Sequence, residues 1–309
     1  MVNSKSESAS FSVEPQPRLP RLMGVLNITP DSFSDGGKFT SAEAALAHAK
    51  QLITEGAAII DVGGESTRPG SVRLSAEAEQ ARVIEIIKRI AKLPEVASGR
   101  VQISIDTMNA STARAAVQAG ATIVNDVAGG QADPQMFETI ADLARQGKAV
   151  TYVLGHWANF AEGAAAVQQT NNIVAAVVAE LAERVALAEQ ASIKPDQIVL
   201  DPGLGFGKDS DQNWQLVRNF NALASLGLPV LIGASRKRFV AASVAKAQGI
   251  EVASVGLSQR DQATAELSAS LWGQALDGET ADQLWGFRVH NVQANINALQ
   301  LAAALRFAH

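Results

Sequence analysis

The chain has 309 residues, 47% hydrophobic and 18% charged, with 24 glycines; this composition can bury a large core and excludes a disordered or fibrous protein. A net charge of −5 gives no overall attraction for nucleic acid or an anionic membrane, so an anionic ligand has to be met by local cations. With no cysteine in the chain, disulfides, zinc–thiolate sites and thiol nucleophiles are excluded.

Residues 1–20, MVNSKSESASFSVEPQPRLP, lack an apolar run long enough for a signal peptide and are expected to be a disordered leader. Residues 21–309 are expected to form one domain. From there, short runs rich in Val, Ile and Leu alternate with Ala-rich segments of helical period. Strand 22–26 is followed by helix 42–54, strand 59–62 by helix 76–93, strand 101–105 by helix 111–119, and strand 123–124 by helix 134–145. The second half repeats the pattern: 150–154 with 173–190, 198–200 with 214–226, 230–232 with 262–274, and 287–289 with 293–305. Eight unbroken apolar strands, each with its helix, predict an α/β fold, a single-domain (β/α)8 TIM barrel. A doubly wound sheet is disfavoured because GGES, after the second strand, lacks the spacing of a dinucleotide fingerprint. No stretch approaches the ~18 apolar residues of a membrane span, which predicts a soluble, cytoplasmic protein with no membrane or nucleic-acid partner.

The residues at or just after the strand ends are Asn27, Asp61, Asp106, Asn125, His156, Asp201, Ser235 and Arg288, all polar. Taken singly, an Asp or Asn there often caps a helix or makes a turn. Several, however, follow β-branched residues inside the strand run, as in ISIDT and TIVND, where an unpaired polar group is costly to bury. Three Gly-rich loops at 63–71, 203–210 and 233–239 add backbone that can approach a ligand closely, and Lys208, Arg236, Lys237 and Arg288 offer charge-assisted bonds to phosphate oxygens. The usual barrel phosphate site, after strands seven and eight, falls on SRK at 235–237 and RVH at 288–290. Zinc is disfavoured: His156 and His290 have no third histidine near a strand end and no HExxH. A hard cation, Mg2+, held mainly by phosphate oxygens with Asn27 as a protein ligand, fits better. No G-x-S-x-G elbow follows a strand.

Seven blocks in order, MGVLNITPDSFSDGG (23–37), IIDVGGESTRPGS (59–71), ISIDT (103–107), IVNDVAGG (123–130), LDPGLGFGK (200–208), SRK and RVH, resemble the dihydropteroate synthase family from about residue 22 to the C-terminus. The resemblance implies condensation of 6-hydroxymethyl-7,8-dihydropterin pyrophosphate with p-aminobenzoate to 7,8-dihydropteroate and pyrophosphate, with Mg2+ and in a homodimer. It implies a pterin site of Asp106, Asn125, Asp201 and Lys237, and a pyrophosphate site of Asn27, Arg288 and His290. Thr67, Arg68, Pro69, Phe33, Asp35 and Ser235 fall to the p-aminobenzoate site, and Phe206 and Gly233 to the substrate-binding wall. Asp106, Asp201, Lys237, Arg288 and His290 are the residues expected to carry the chemistry. Three departures from the family pattern stand out: Gly155 in place of Met, Asn291 in place of Asp, and an extra turn at 276–284. Trp157 is a candidate to cover the ring beside Gly155, against the alternative that it packs outside the pocket. The competing readings are a pterin-barrel methyltransferase and a non-catalytic pterin-binding paralogue.

Overall fold

The computed structural model describes residues 18–28, 38–65, 73–162, 167–278 and 280–307. Eight parallel strands pair in sequence order and close, β8 returning to β1. They are β1 (Arg21–Asn27), β2 (Ile59–Gly63), β3 (Gln102–Asp106), β4 (Ile123–Asp126), β5 (Thr151–Gly155), β6 (Ile198–Asp201), β7 (Val230–Ile232) and β8 (Leu284–Val289). The helices between and after them are α1 (Lys38–Thr54), α2 (Ala76–Ile90), α3 (Pro94–Ala97), α4 (Ala110–Ala119), α5 (Met136–Arg145), α6 (Ile173–Gln190), α7 (Ser210–Arg218), α8 (Asn221–Ala224), α9 (Arg238–Gln248), α10 (Leu257–Asp277) and α11 (Val292–Phe307). All eight expected strands and the barrel are present.

Three helical regions differ from the sequence reading, each for a local reason. The segment expected at 76–93 stops at Ile90 because Pro94 restarts the chain as the first residue of α3, and the residue before a proline is driven out of helical geometry. Its start is well marked: Ser75 accepts from the Ala78 N–H, Glu77 and Glu79 lie in the first turn, and Lys88 and Arg89 in the last. The expected 214–226 helix begins earlier, where Asp209 and Gln212 form a capping box, and divides into α7 and α8. Helix α9 lies outside the helices that the sequence predicts, because its first turn overlaps the anion loop 233–239; Phe239, Val240, Ala241 and Ala245 make its buried face. The extra turn before β8 is a 3₁₀ turn at Ala281–Gln283.

Strand alternation explains how an apolar barrel carries a polar mouth. Leu22, Leu26, Ile60, Val62, Ile103, Ile105, Val124, Leu154, Leu200 and Phe287 face outward into the main core under the helices. Alternate residues face inward, and Met23, Ile59, Ile123, Val153, Val199 and Leu231 form a separate buried cluster inside the barrel. Two residues further along these strands come Asp61, Asn125, Gly155, Asp201 and Gly233, so one inward step of the pleat passes from apolar filling to hydrogen-bonding groups. The register sets them side by side: Asp61 opposite Ser104, Asp106 opposite Asn125, and Gly155 opposite Asp201.

Candidate active site

Asp61, Asn125 and Asp201 are buried at the barrel mouth, and Arg288 reaches across to them from β8. The Asn125 Nδ2 donates to Asp61 Oδ2 at 3.1 Å, which turns its carbonyl oxygen toward the Arg288 guanidinium, 3.3 Å away. Asp201 Oδ1 accepts from the Gly203 N–H at 2.8 Å, while Oδ2 pairs with Arg288 Nη1 at 2.8 Å. Burial, then the negative charge of Asp61, pushes Asp106 well above the usual carboxylate range. Asp61 is raised as well, by burial, with Arg288 pulling the other way. For Arg288, burial lowers the pKa, but Asp201, Asp61 and Asp106 together outweigh it and leave it above its ordinary value. Asp61 belongs to this layer although the resemblance gave it no role. Its signal was its place at a strand end with the other polar residues.

Lys237 follows β7, between the strands that carry Asp201 and Arg288. Its Nζ sits 3.9 Å from the centre of the Phe206 ring, a cation–π contact, and burial followed by the charge of Arg288 pulls it down to about 7. Phe206 in turn packs on Trp157, ring centres 4.8 Å apart, in a buried cluster with Met108, Val127 and Ala128. Ser235 Oγ lies 3.2 Å from the His290 N–H, which donates to it, and 3.0 Å from His290 Nδ1, joining the loops after β7 and β8. Asn27 ends β1 with its amide oxygen beside Gly63, near the Asp106 carboxylate: a β-carbon built on Gly63 would lie 3.5 Å from an oxygen of each. The structure therefore brings together Asn27, Asp106, Asn125, Asp201, Phe206, Gly233, Ser235, Lys237, Arg288 and His290. Phe33, Asp35, Thr67, Arg68 and Pro69 lie outside the described residues.

Two expected anion ligands are otherwise engaged. Arg236 is bound by the Asp261 carboxylate through two bonds of 2.7 and 2.8 Å, so it fastens its loop to α10. Lys208 is buried and donates to the carbonyls of Gly203 and Phe206, both at 3.0 Å, with Nζ 2.9 Å from His156 Nδ1. Since an ammonium only donates, His156 Nδ1 is the acceptor and its Nε2–H donates to Glu180 Oε2 at 2.9 Å. Burial and the Lys208 charge hold His156 below its usual pKa, consistent with that neutral tautomer. Lys208 thus pins the β6 loop from beneath rather than meeting an anion.

The departures at 155 and 291 are absorbed by neighbouring structure. Asn291 Oδ1 accepts from the Ala294 N–H at 2.9 Å and caps α11, a task for which Asn and Asp are nearly equal. At Gly155, an added β-carbon would stand 2.6 Å from Val127 Cα and 2.7 Å from the carbonyl oxygens of Asp126 and Val127. The loop after β4 has folded into the space that a side chain at 155 needs, and it is main chain, not the Trp157 ring, that fills it. Gly155→Met is accordingly expected to be overpacked, costing on the order of 3 kcal/mol and weakening pterin binding. A melting temperature equal to wild type, with tighter pterin binding, would mean that the loop yields easily.

The sequence profile of the pterin binding enzyme family matches residues 23–278. The chain is 42% identical over 285 residues to a dihydropteroate synthase of Mycobacterium leprae, covering 92% of this chain and 93% of that one. Among solved structures, a Xanthomonas albilineans dihydropteroate synthase with 4-aminobenzoic acid superposes with a TM-score of 0.76 at 37% identity, over 94% of this chain and 95% of that one. An Anaplasma phagocytophilum dihydropteroate synthase with bound 6-hydroxymethylpterin-monophosphate also gives 0.76, at 34% identity, over 92% and 98%. With the barrel, its ring of buried acids and amide, and these relatives in agreement, the chain belongs to the dihydropteroate synthase family of pterin binding enzymes.

Proposed function

We infer that this chain joins the methylene carbon of 6-hydroxymethyl-7,8-dihydropterin pyrophosphate to the amine of p-aminobenzoate, giving 7,8-dihydropteroate and pyrophosphate in folate biosynthesis. The observation that carries this reading is the layer of buried Asp61, Asn125 and Asp201, with half-buried Asp106 beside them, gathered with Lys237 and Arg288 at the barrel mouth. Asp201 and Asn125 supply acceptors for the N–H edge of a pterin, which fixes the ring plane. Asp106, pushed well above the usual carboxylate range by burial and by Asp61, is the carboxyl of this layer that most favours sharing a proton with a ring nitrogen. As the C–O bond to the leaving pyrophosphate lengthens, positive charge spreads from the methylene into the ring, where the negative charge of the carboxylates stabilises it. Arg288 and His290 then stabilise the charge left on the departing pyrophosphate. The arylamine attacks with a lone pair already available, and its excess proton passes to solvent, so no strong dedicated base is required.

Mg2+ fits the donors present: Asn27 is a hard oxygen ligand, and the described residues form no cluster of three acids or histidines that would hold a cation alone, so phosphate oxygens would complete its shell. When bound, magnesium would supply charge neutralisation to the leaving group. We place Thr67, Arg68, Pro69, Phe33, Asp35 and Ser235 around p-aminobenzoate on the strength of the resemblance. No helix among the described residues is long and apolar enough to cross a membrane. Leu301 and Leu305, exposed one turn apart on α11, offer apolar surface for the homodimer, which light scattering would test. The activity itself is tested by pyrophosphate release: it is expected only when both substrates are present, to cease on chelation and to return with Mg2+. Release without p-aminobenzoate at the same rate, or no dihydropteroate formed, would overturn the reading.

A further inference from the structure

Asp201 and Asn125 have four polar side-chain atoms, and the frame of the protein fixes two of them: Asp201 Oδ1 on the Gly203 N–H, and Asn125 Nδ2 on Asp61. The other two, Asp201 Oδ2 and Asn125 Oδ1, are the acceptors left to meet a pterin, and both face one nitrogen, Arg288 Nη1, at 2.8 and 3.3 Å. The arginine side chain is only 10% exposed, and Gly233 keeps room for it, since a β-carbon there would stand 2.5 Å from Nη2. Adjacent N–H donors of a pterin ring therefore compete with the guanidinium for the same two oxygens.

We propose that Arg288 is an internal stand-in for the N–H edge of the pterin, drawn off Asp201 and Asn125 by the pyrophosphate of the substrate, so that the site selects the pyrophosphorylated pterin over the bare ring. This rests on the assignment of ring and pyrophosphate made above. A bare ring that displaced Arg288 would leave a buried guanidinium without its carboxylate, a loss that the ring cannot replace. A substrate carrying pyrophosphate brings a second anion, and a guanidinium binds phosphate oxygens as readily as carboxylate ones. The arginine has somewhere to go. His290 lies two residues further along, just past the end of β8, and is tied to Ser235 in the loop after β7. Binding energy from the phosphate end is thus converted into vacant acceptors at the ring end, which makes the two subsites cooperative.

The test uses the full chain and two probes, 6-hydroxymethylpterin without phosphate and inorganic pyrophosphate with Mg2+, titrated by calorimetry. In wild type, saturating pyrophosphate is expected to tighten binding of the bare pterin about tenfold. Arg288→Gln is expected to bind the bare pterin about tenfold more tightly than wild type in the absence of pyrophosphate, to gain nothing more when it is added, and to bind pyrophosphate itself more weakly. Opposite signs for the two ligands are the signature. Bare-pterin binding that ignores pyrophosphate in wild type, or that weakens in Arg288→Gln, overturns the exchange, and the wild-type measurement decides alone if the variant does not fold. Asp201→Asn separates the two levels of the argument: bare-pterin binding unchanged by that substitution removes the ring from this site altogether. If Asp201→Asn does abolish ring binding while wild type shows no coupling, the exchange fails and the site stands.

Discussion

An Asp201→Asn protein is expected to remain folded and to lose about 10³-fold in kcat/KM, corresponding to ~4 kcal/mol of transition-state stabilisation. The direction follows from what each oxygen of Asp201 does. Oδ1 receives the Gly203 N–H at 2.8 Å, an interaction that an amide oxygen can keep. Keeping it turns the new amide nitrogen toward Arg288 and toward the ring edge, so a donor faces donors where Oδ2 had accepted. A charge is lost at the same time, in a layer where Asp201 is the largest influence holding Arg288 above its ordinary pKa against burial. The result combines a removed acceptor, an unpaired ring N–H and weaker stabilisation of the cation that develops on the pterin, and the loss should fall in both kcat and KM. Steady-state kinetics with both substrates, beside a thermal melt, would check it. Near-normal kcat/KM in a properly folded variant would remove Asp201 from the reaction.

Much of this was legible in the sequence, and the reasons differ from residue to residue. The eight strands were readable because their apolar runs are buried on both faces, a demand that composition expresses directly. Asp106, Asn125 and Asp201 were readable because they end such runs, where an acid or amide is expensive unless something is there to bind it. What could not be read was the choice of partner. Lys208 and Arg236 stand in Gly-rich loops beside true site residues, and charge alone does not tell a phosphate ligand from a structural pin. Their partners, His156 and Asp261, lie 52 and 25 residues away. Helix α9 was missed for a related reason: its first turn overlaps the SRK loop, so a single stretch of sequence carries both a site signal and a helix start. Gly155 was read by what it lacked, whereas the structure shows what took the space, a main-chain segment whose path no side-chain pattern announces.

Lys208→Met is expected to cost about 4 kcal/mol of stability, roughly 6 °C in melting temperature for a chain of this size, and to raise KM for the pterin substrate more than it lowers kcat. Methionine nearly matches the volume of lysine but leaves the Phe206 carbonyl and the Nδ1 of His156 buried without the Lys208 donor, and takes from the Gly203 carbonyl one of its two donors, the other being the Phe206 N–H at 3.0 Å. Gly203, at φ 63°, runs so close beneath the β5 loop that a β-carbon would overlap the His156 carbonyl oxygen, so the two loops are packed main chain to main chain with Lys208 beneath them. Loosening that contact moves Phe206, and Phe206 supports the Lys237 ammonium 3.9 Å above its ring. Loss of the pin should therefore reach ring binding through Lys237. A purely structural role would lower the melting temperature and leave KM unchanged. The pH dependence gives an independent reading. Burial pulls Lys208 from 10.5 down to about 7. Between those values the unfolded chain still holds the proton that the folded protein has released, so the unfolded state binds more protons and wild-type stability gains as pH rises. Below about 7 both states are protonated and the burial penalty is carried in full. The variant has no such group, while its other titrations match those of wild type, so the gap in melting temperature between the two should widen from pH 7 to pH 9. A gap that stays constant across that range would show that Lys208 keeps its proton throughout, held by its three acceptors, and would leave the stability loss and the KM effect as the signatures of the pin.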